Sequence, residues 1–409
     1  MSLVLYCDVH RNCTIVNMTN KLSQLRDAIA KHDHKTIISL SKSLSRQQAT
    51  YMTLKYQAYF GELFFTANGF SHRSFGHLSI YGSSSVNGIA AIYEGLEHEE
   101  GGDDDGESII PSSCYYGELL RGYFTDSYKY DAECLYGSLY HSDGIIAKAR
   151  DGESSLPNFL EAIELLCTRT DADIMGMRKA YSMLTGGLDM FVDVLSFLSR
   201  QSALHQLVSV GLYSLSYRNM YVLYSDKPSN SHGDPLSLTS VISIDHLDTT
   251  SNQFKAQVDA SVNELLEATK GFAHREATFY EMLFLSSPAH LRAVADEYKS
   301  RTGIGLETVL EEEFTGVISY ALQLRYYFVT NPARCYAWII YRTITEFRDR
   351  SLLRAFLACL EDIKNVAHEF QHFSKKPLRA ELRSISTGNF RRLLLALFDG
   401  NYQRLTKIS

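Results

Sequence analysis

Apolar residues recur along most of the chain at intervals of three and four. From Ile344 onward, Leu352, Leu353, Phe356, Leu357, Leu360, Ile363 and Val366 keep this step, which predicts a single helix face. The same spacing runs from Ala277 to Tyr298 through Phe279, Met282, Leu283, Leu291 and Val294. Ser286-Ser287-Pro288 interrupts it, and a new helix is expected to start there, because proline at a first helical position loses no needed N–H. The chain has only 7 prolines to break such patterns. An all-α fold is expected, built from helices of one to three turns with short joints.

Four stretches depart from this pattern. Residues 1–19 form a polar lead, 141–157 a loop, and 225–254 a linker beginning Ser225-Asp226-Lys227-Pro228. Residues 72–114 are rich in Gly and Ser and contain an acidic run from Glu97 to Glu107. Such a run buries little apolar area and is expected to be a solvated loop. A calcium loop would need acids at alternating positions with a closing Glu, which this run does not supply.

Composition narrows the function. Hydrophobic residues make up 45% of the 409-residue chain, enough for a sizeable core. Lys and Arg number 40 against 47 Asp and Glu, a net charge of −7 that argues against a dedicated nucleic-acid binder. The 7 cysteines are scattered with no CxxC pair, so a reducing, cytoplasmic compartment is expected rather than a disulfide or zinc framework. The first residues show no basic n-region, Ser2 is not a myristoylation glycine, and no window approaches the roughly 18 apolar residues of a bilayer span. Any membrane contact is therefore expected to be peripheral.

Comparison of the chain with itself is more telling. Residues 164–190, 281–306 and 355–382, and more weakly 38–63, share one grammar: an apolar helix, a short polar break, a second helix ending in an aromatic, then a glycine or polar turn. This layout resembles the annexin family. Ile163–Tyr181 and Ala277–Gly316 are the nearest copies, the latter closing Glu311-Glu312-Glu313-Phe314-Thr315-Gly316. Asp126–Ala132 resembles the family's junction between first and second repeats, and Asn331–Ala337 that between third and fourth. The resemblance implies an all-α chain of four repeats, about five helices each, forming a curved disc. The lead would be 1–19, repeat 1 residues 20–130 with the insertion 72–114, and repeat 2 residues 131–215. A linker 216–255, repeat 3 (256–331) and repeat 4 (332–409) would follow. The many substitutions suggest a remote branch like the alpha-giardins.

The family resemblance also implies calcium and an anionic phospholipid surface as partners. Calcium takes six to eight oxygens, so carbonyls of a glycine-rich loop plus a bidentate carboxylate leave positions for lipid phosphate. Laid on this chain, the loop of repeat 3 is Thr269-Lys270-Gly271-Phe272-Ala273-His274, with Glu313 as the acidic residue. The 38 residues between His274 and Glu313 match the family interval. The carbonyls of Thr269, Gly271 and Ala273 with the Glu313 carboxylate are thus the implied ligands, although one loop glycine and the threonine are replaced. Elsewhere the acidic position falls on Ser196, on Ile385 or Ser386, and near Pro111, so at most one site of the usual type is expected. Phe272 occupies a loop-tip position: it either enters the headgroup layer or folds onto its own repeat.

Enzyme signatures are few. His368-Glu369-Phe370-Gln371-His372 is a literal HExxH, but the third zinc ligand of a zincin is missing downstream, so two solvent-facing histidines are expected rather than a protease. Gly303-Ile304-Gly305 is expected to be a turn before Leu306 and not a nucleotide loop. His32, Asp33 and His34 are expected at a polar helix joint. Two functions follow. The first is a non-enzymatic peripheral membrane scaffold with weak or altered calcium dependence, with a possible link to the cytoskeleton. The second is a cytoskeletal interaction protein that keeps the scaffold without lipid binding.

Overall fold

The computed structural model describes residues 11–60, 112–140, 156–198, 200, 202–212, 249–270, 275–346 and 348–408. Among them every regular element is a helix. The acidic run, residues 141–155 and 213–248 lie outside the described residues. No helix among those described is long and apolar enough to cross a membrane. The chain divides into two compact units, one of Met1–Tyr130 with Tyr336–Ser409 and one of Asp131–Cys335.

In the first unit, both ends of the chain build one core. The helix Gly388–Ile408 packs on His34–Ser43 and Ser112–Phe124. The last carbonyls of a helix have no partner within it, and here the surrounding helices supply them. Tyr123 donates its hydroxyl to Ser41 O at 3.2 Å and Leu44 O at 2.7 Å. Arg404 reaches Lys42 O at 3.3 Å, and Lys21 reaches Ser43 O at 3.4 Å. Cations at this end also meet the negative pole of the helix. Arg46 Nη1 bonds Leu357 O at 2.9 Å, across 311 residues of sequence.

Gly400 is what allows the closest approach in this unit. A Cβ at this position would lie 2.5 Å from the backbone oxygen of Lys42. Because that oxygen belongs to a helix, it cannot rotate aside. Alanine would gain about 1 kcal/mol of helix propensity, yet forcing the two helices apart costs more. Gly400→Ala is therefore expected to destabilise the unit by a net 1–2 kcal/mol or so, read as a lower midpoint in urea denaturation.

The second unit follows the expected signals closely. The helix Pro288–Thr302 starts at the serine–proline step, with Ser287 accepting from His290 N at 3.2 Å, and ends at Gly303 with φ +75°. Gly305 then caps Leu306–Glu313, so Gly303-Ile304-Gly305 is a turn. Thr170 and Asp173 form a reciprocal capping box at the head of Asp171–Leu184. Phe279, Leu283, Leu291 and Val294 are buried.

One expectation needs correction. Leu352 to Val366 do not lie on a single helix. Asp349–Ala358 ends at Cys359, a 3-10 turn covers Leu360–Asp362, and Ile363–Phe370 follows. Leu352, Leu353, Phe356, Leu357, Leu360, Ile363 and Val366 are nevertheless all buried. The tight turn re-aims the chain while keeping the apolar face inward, so burial continues through a break in the hydrogen bonding. Cys167 and Cys359 are buried thiols, and burial pushes Cys167 up to about 12.

Candidate calcium and membrane-contact site

Thr269 stands in the last turn of Asn252–Lys270. Its hydroxyl donates to Leu266 O at 2.9 Å. The Thr269 carbonyl is one of the four at a helix end that lack an intrahelical N–H, and the helix dipole makes that end attractive to a cation. Gly271, Phe272, Ala273 and His274 lie outside the described residues. The next helix, Arg275–Leu285, begins directly after them.

Glu313 is the final residue of Leu306–Glu313 and is exposed, as are Glu311 and Glu312. Phe314 then takes an extended conformation, φ −120° and ψ 154°. Its ring is buried and meets Phe279 edge to face, with centroids 5.2 Å apart. Phe279 lies near the start of Arg275–Leu285. The aromatic contact therefore holds the backbone beside Glu313 against the helix that follows 271–274. Ser319 adds a second tie, donating to Leu310 O at 3.0 Å between helices Leu306–Glu313 and Gly316–Thr330.

The positions expected in repeats 2 and 4 carry no carboxylate. Ser196 closes Met190–Ser196 and donates to Asp193 O at 2.6 Å. Ser386 is buried and donates to Leu382 O at 2.5 Å, while Ile385 caps Leu378–Ser384. Pro111 lies outside the described residues. Asp33 caps His34–Ser43 by accepting from Thr36 N at 3.1 Å, and His34 Nδ1 lies 3.1 Å from the Tyr116 hydroxyl. The helix joint expected at residues 32–34 is thus present.

A carboxylate cluster in the second unit has no counterpart in the sequence reading. Asp193 accepts from Tyr140 at 2.7 Å and from Tyr181. Burial, followed by donation to this carboxylate, holds both phenols above their ordinary range. Asp189 caps the same short helix and pairs with Arg178, whose guanidinium stacks 4.2 Å from the Phe191 ring. Gly186-Gly187 is a readable helix stop and Asp189 a readable N-cap. The tyrosines lie 53 and 12 residues from Asp193, intervals that carry no local pattern.

Comparison with known proteins bears on this geometry. The annexin family model matches residues 259–323, which include Thr269, Gly271, Ala273 and Glu313. The chain is 24% identical to annexin A6 of Mus musculus over 259 residues, covering 62% of this chain and 34% of that protein. It is 27% identical to annexin A13 of Schistosoma japonicum over 130 residues, covering 31% and 37%. The match thus spans about a third of the length of these relatives. Among solved structures, annexin III superposes with a TM-score of 0.61 at 17% identity, over 93% of each chain. A calcium-bound alpha-14 giardin gives 0.61 at 12% identity, over 93% of this chain and 99% of that one. The helical order, the matched repeat and these relatives make the chain similar to the annexin family in fold, and in sequence most clearly over residues 259–323.

Proposed function

We propose that this chain is a peripheral, non-enzymatic membrane-binding scaffold of the cytoplasm, meeting anionic phospholipid through one weak calcium site in its third repeat. Annexins generally bind phospholipid in a calcium-dependent way. The observation that carries the proposal is the Phe279–Phe314 contact. It ties the residue after Glu313 to the helix that follows the loop, which supports a two-part oxygen site. In this reading the carbonyls of Thr269, Gly271 and Ala273 and both oxygens of Glu313 face the ion, and lipid phosphate fills the open positions. Phe272, from the same segment, would be the headgroup-layer contact. The repeat bounds 20–130, 131–215, 256–331 and 332–409 belong to the same proposal.

A second reading, a cytoskeletal interaction scaffold without lipid binding, is favoured by Ser196 and Ser386 standing where other repeats would need carboxylates. Co-sedimentation of the full chain with phosphatidylserine vesicles, in millimolar calcium and in chelator, separates the two. Calcium-dependent pelleting is the expected result. No pelleting in either condition would leave the interaction scaffold standing.

A further inference from the structure

The His368–His372 segment, in the first unit, brings three potential ligands together. Among the described residues, His368, Glu369 and His372 are a group whose candidate ligand atoms, one from each side chain, all lie within 4.8 Å of one another. Both histidines are exposed and Glu369 is half-buried. The two imidazole rings stand 6.1 Å apart, nearly perpendicular at 81°.

The backbone explains this convergence. Helix Ile363–Phe370 does not simply stop after Phe370. Gln371 N donates to His368 O at 3.2 Å and His372 N to Glu369 O at 3.0 Å, so the chain tightens by one further turn. That turn draws His372 back over Glu369. Two aromatic anchors hold the turn in place. Phe370 is buried with its ring 6.3 Å from Tyr341, and Phe373 stacks on the same tyrosine at 6.1 Å. The donor groups therefore project from a pinned segment, which reduces the ordering cost of binding.

We infer that His368, His372 and Glu369 form a surface chelate for a first-row transition metal such as zinc or copper(II). The donor set decides the class of ion. Two neutral imidazoles and one carboxylate suit zinc, copper and nickel, whereas calcium takes six to eight oxygens. Tetrahedral zinc with bonds of about 2.0–2.1 Å places its ligand atoms roughly 3.4 Å apart. The two exposed imidazoles close the remaining distance by small rotations within their staggered wells. Solvent fills the other coordination positions. The inference concerns binding only, and it stands independently of the calcium and membrane reading.

The test is isothermal titration of the full chain, freed of metal, with zinc and with copper(II) in a non-chelating buffer. One site per chain is expected, tighter for copper than for zinc, as the general order of divalent affinities requires. His368→Ala and His372→Ala should each weaken zinc by roughly 10- to 100-fold, the range that even outer-shell losses reach. Glu369→Gln should weaken it less. Because both histidines are exposed, the metal-free variants should melt with the parent protein, so a lost site is read separately from a lost fold. Calcium at the same concentrations should compete for none of this binding. Absence of zinc and copper binding by the parent would overturn the inference, as would equal affinities in the parent and both histidine variants.

Discussion

Replacing Asp131 with alanine is expected to destabilise the unit Asp131–Cys335 by about 3–5 kcal/mol, the cost of leaving a buried charge without its partner. Asp131 lies in the helix Ser127–Tyr140. Arg169 sits in the joint between Leu156–Cys167 and Asp171–Leu184. Two parallel bonds join them, Nε to Oδ2 at 2.6 Å and Nη2 to Oδ1 at 2.8 Å. The side chains are only 7% and 8% exposed, so water cannot replace the carboxylate once it is gone. Arg169 Nη1 also donates to Thr168 O at 2.9 Å, which fixes the guanidinium in place and prevents it from swinging outward. At roughly 2–4 °C per kcal/mol for a unit of this size, the melting temperature should fall by about 6–20 °C. The double substitution Asp131→Ala with Arg169→Met removes both charges and should recover most of the loss. If the double variant melts as low as the single one, the loss reflects a packing defect rather than an orphaned charge.

Buried pairs like this one mark the limit of what the sequence alone discloses. The helices are legible because burial on one side of a helix imposes its period on the residues. Phe279, Leu283, Leu291 and Val294 are buried as their spacing predicts. Starts and stops are legible where the backbone demands particular chemistry, as at Ser287-Pro288 and at Gly303 with its positive φ. The break at Cys359–Asp362 is not legible, because a 3-10 turn can keep the same face inward while the hydrogen bonds change partner. Nor does any local signal bring residues 1–130 together with 336–409, since Arg404 and Lys42 meet only through the packing of Gly388–Ile408 on His34–Ser43. Charges are visible in a sequence; their partners are not. Glu164 reads as one acid among many, yet it is buried and accepts from Tyr320 at 2.6 Å across 156 residues. The candidate calcium site divides in the same way. Spacing singles out Glu313 as a candidate, but the aromatic contact beside it depends on Phe279 and Phe314 meeting in space.

Glu313→Gln is expected to abolish calcium-dependent sedimentation with phosphatidylserine vesicles, while Glu312→Gln leaves it almost unchanged. The two residues are adjacent, equally charged and both exposed, so they separate register from net charge. Glutamine keeps the shape of the side chain but removes the charge and one strong oxygen, which a bidentate calcium ligand cannot lose without consequence. The proposed site would have little in reserve, with one carboxylate and the rest carbonyls. Its affinity without lipid is therefore expected in the range of roughly 10⁻⁴ to 10⁻³ M that solvent-open modules show. Anionic vesicles should tighten it, because lipid phosphate completes the coordination and the two ligands then bind as a linked pair. Register matters because Phe314 follows Glu313 directly and is anchored on Phe279. Glu312 lies one residue earlier in the last turn of Leu306–Glu313, about 100° around the helix, and so projects from a different face. Equal losses from both substitutions would mean that Glu311, Glu312 and Glu313 act as a diffuse acidic patch. Pelleting that ignores both substitutions and calcium alike would place the lipid contact elsewhere on the molecule.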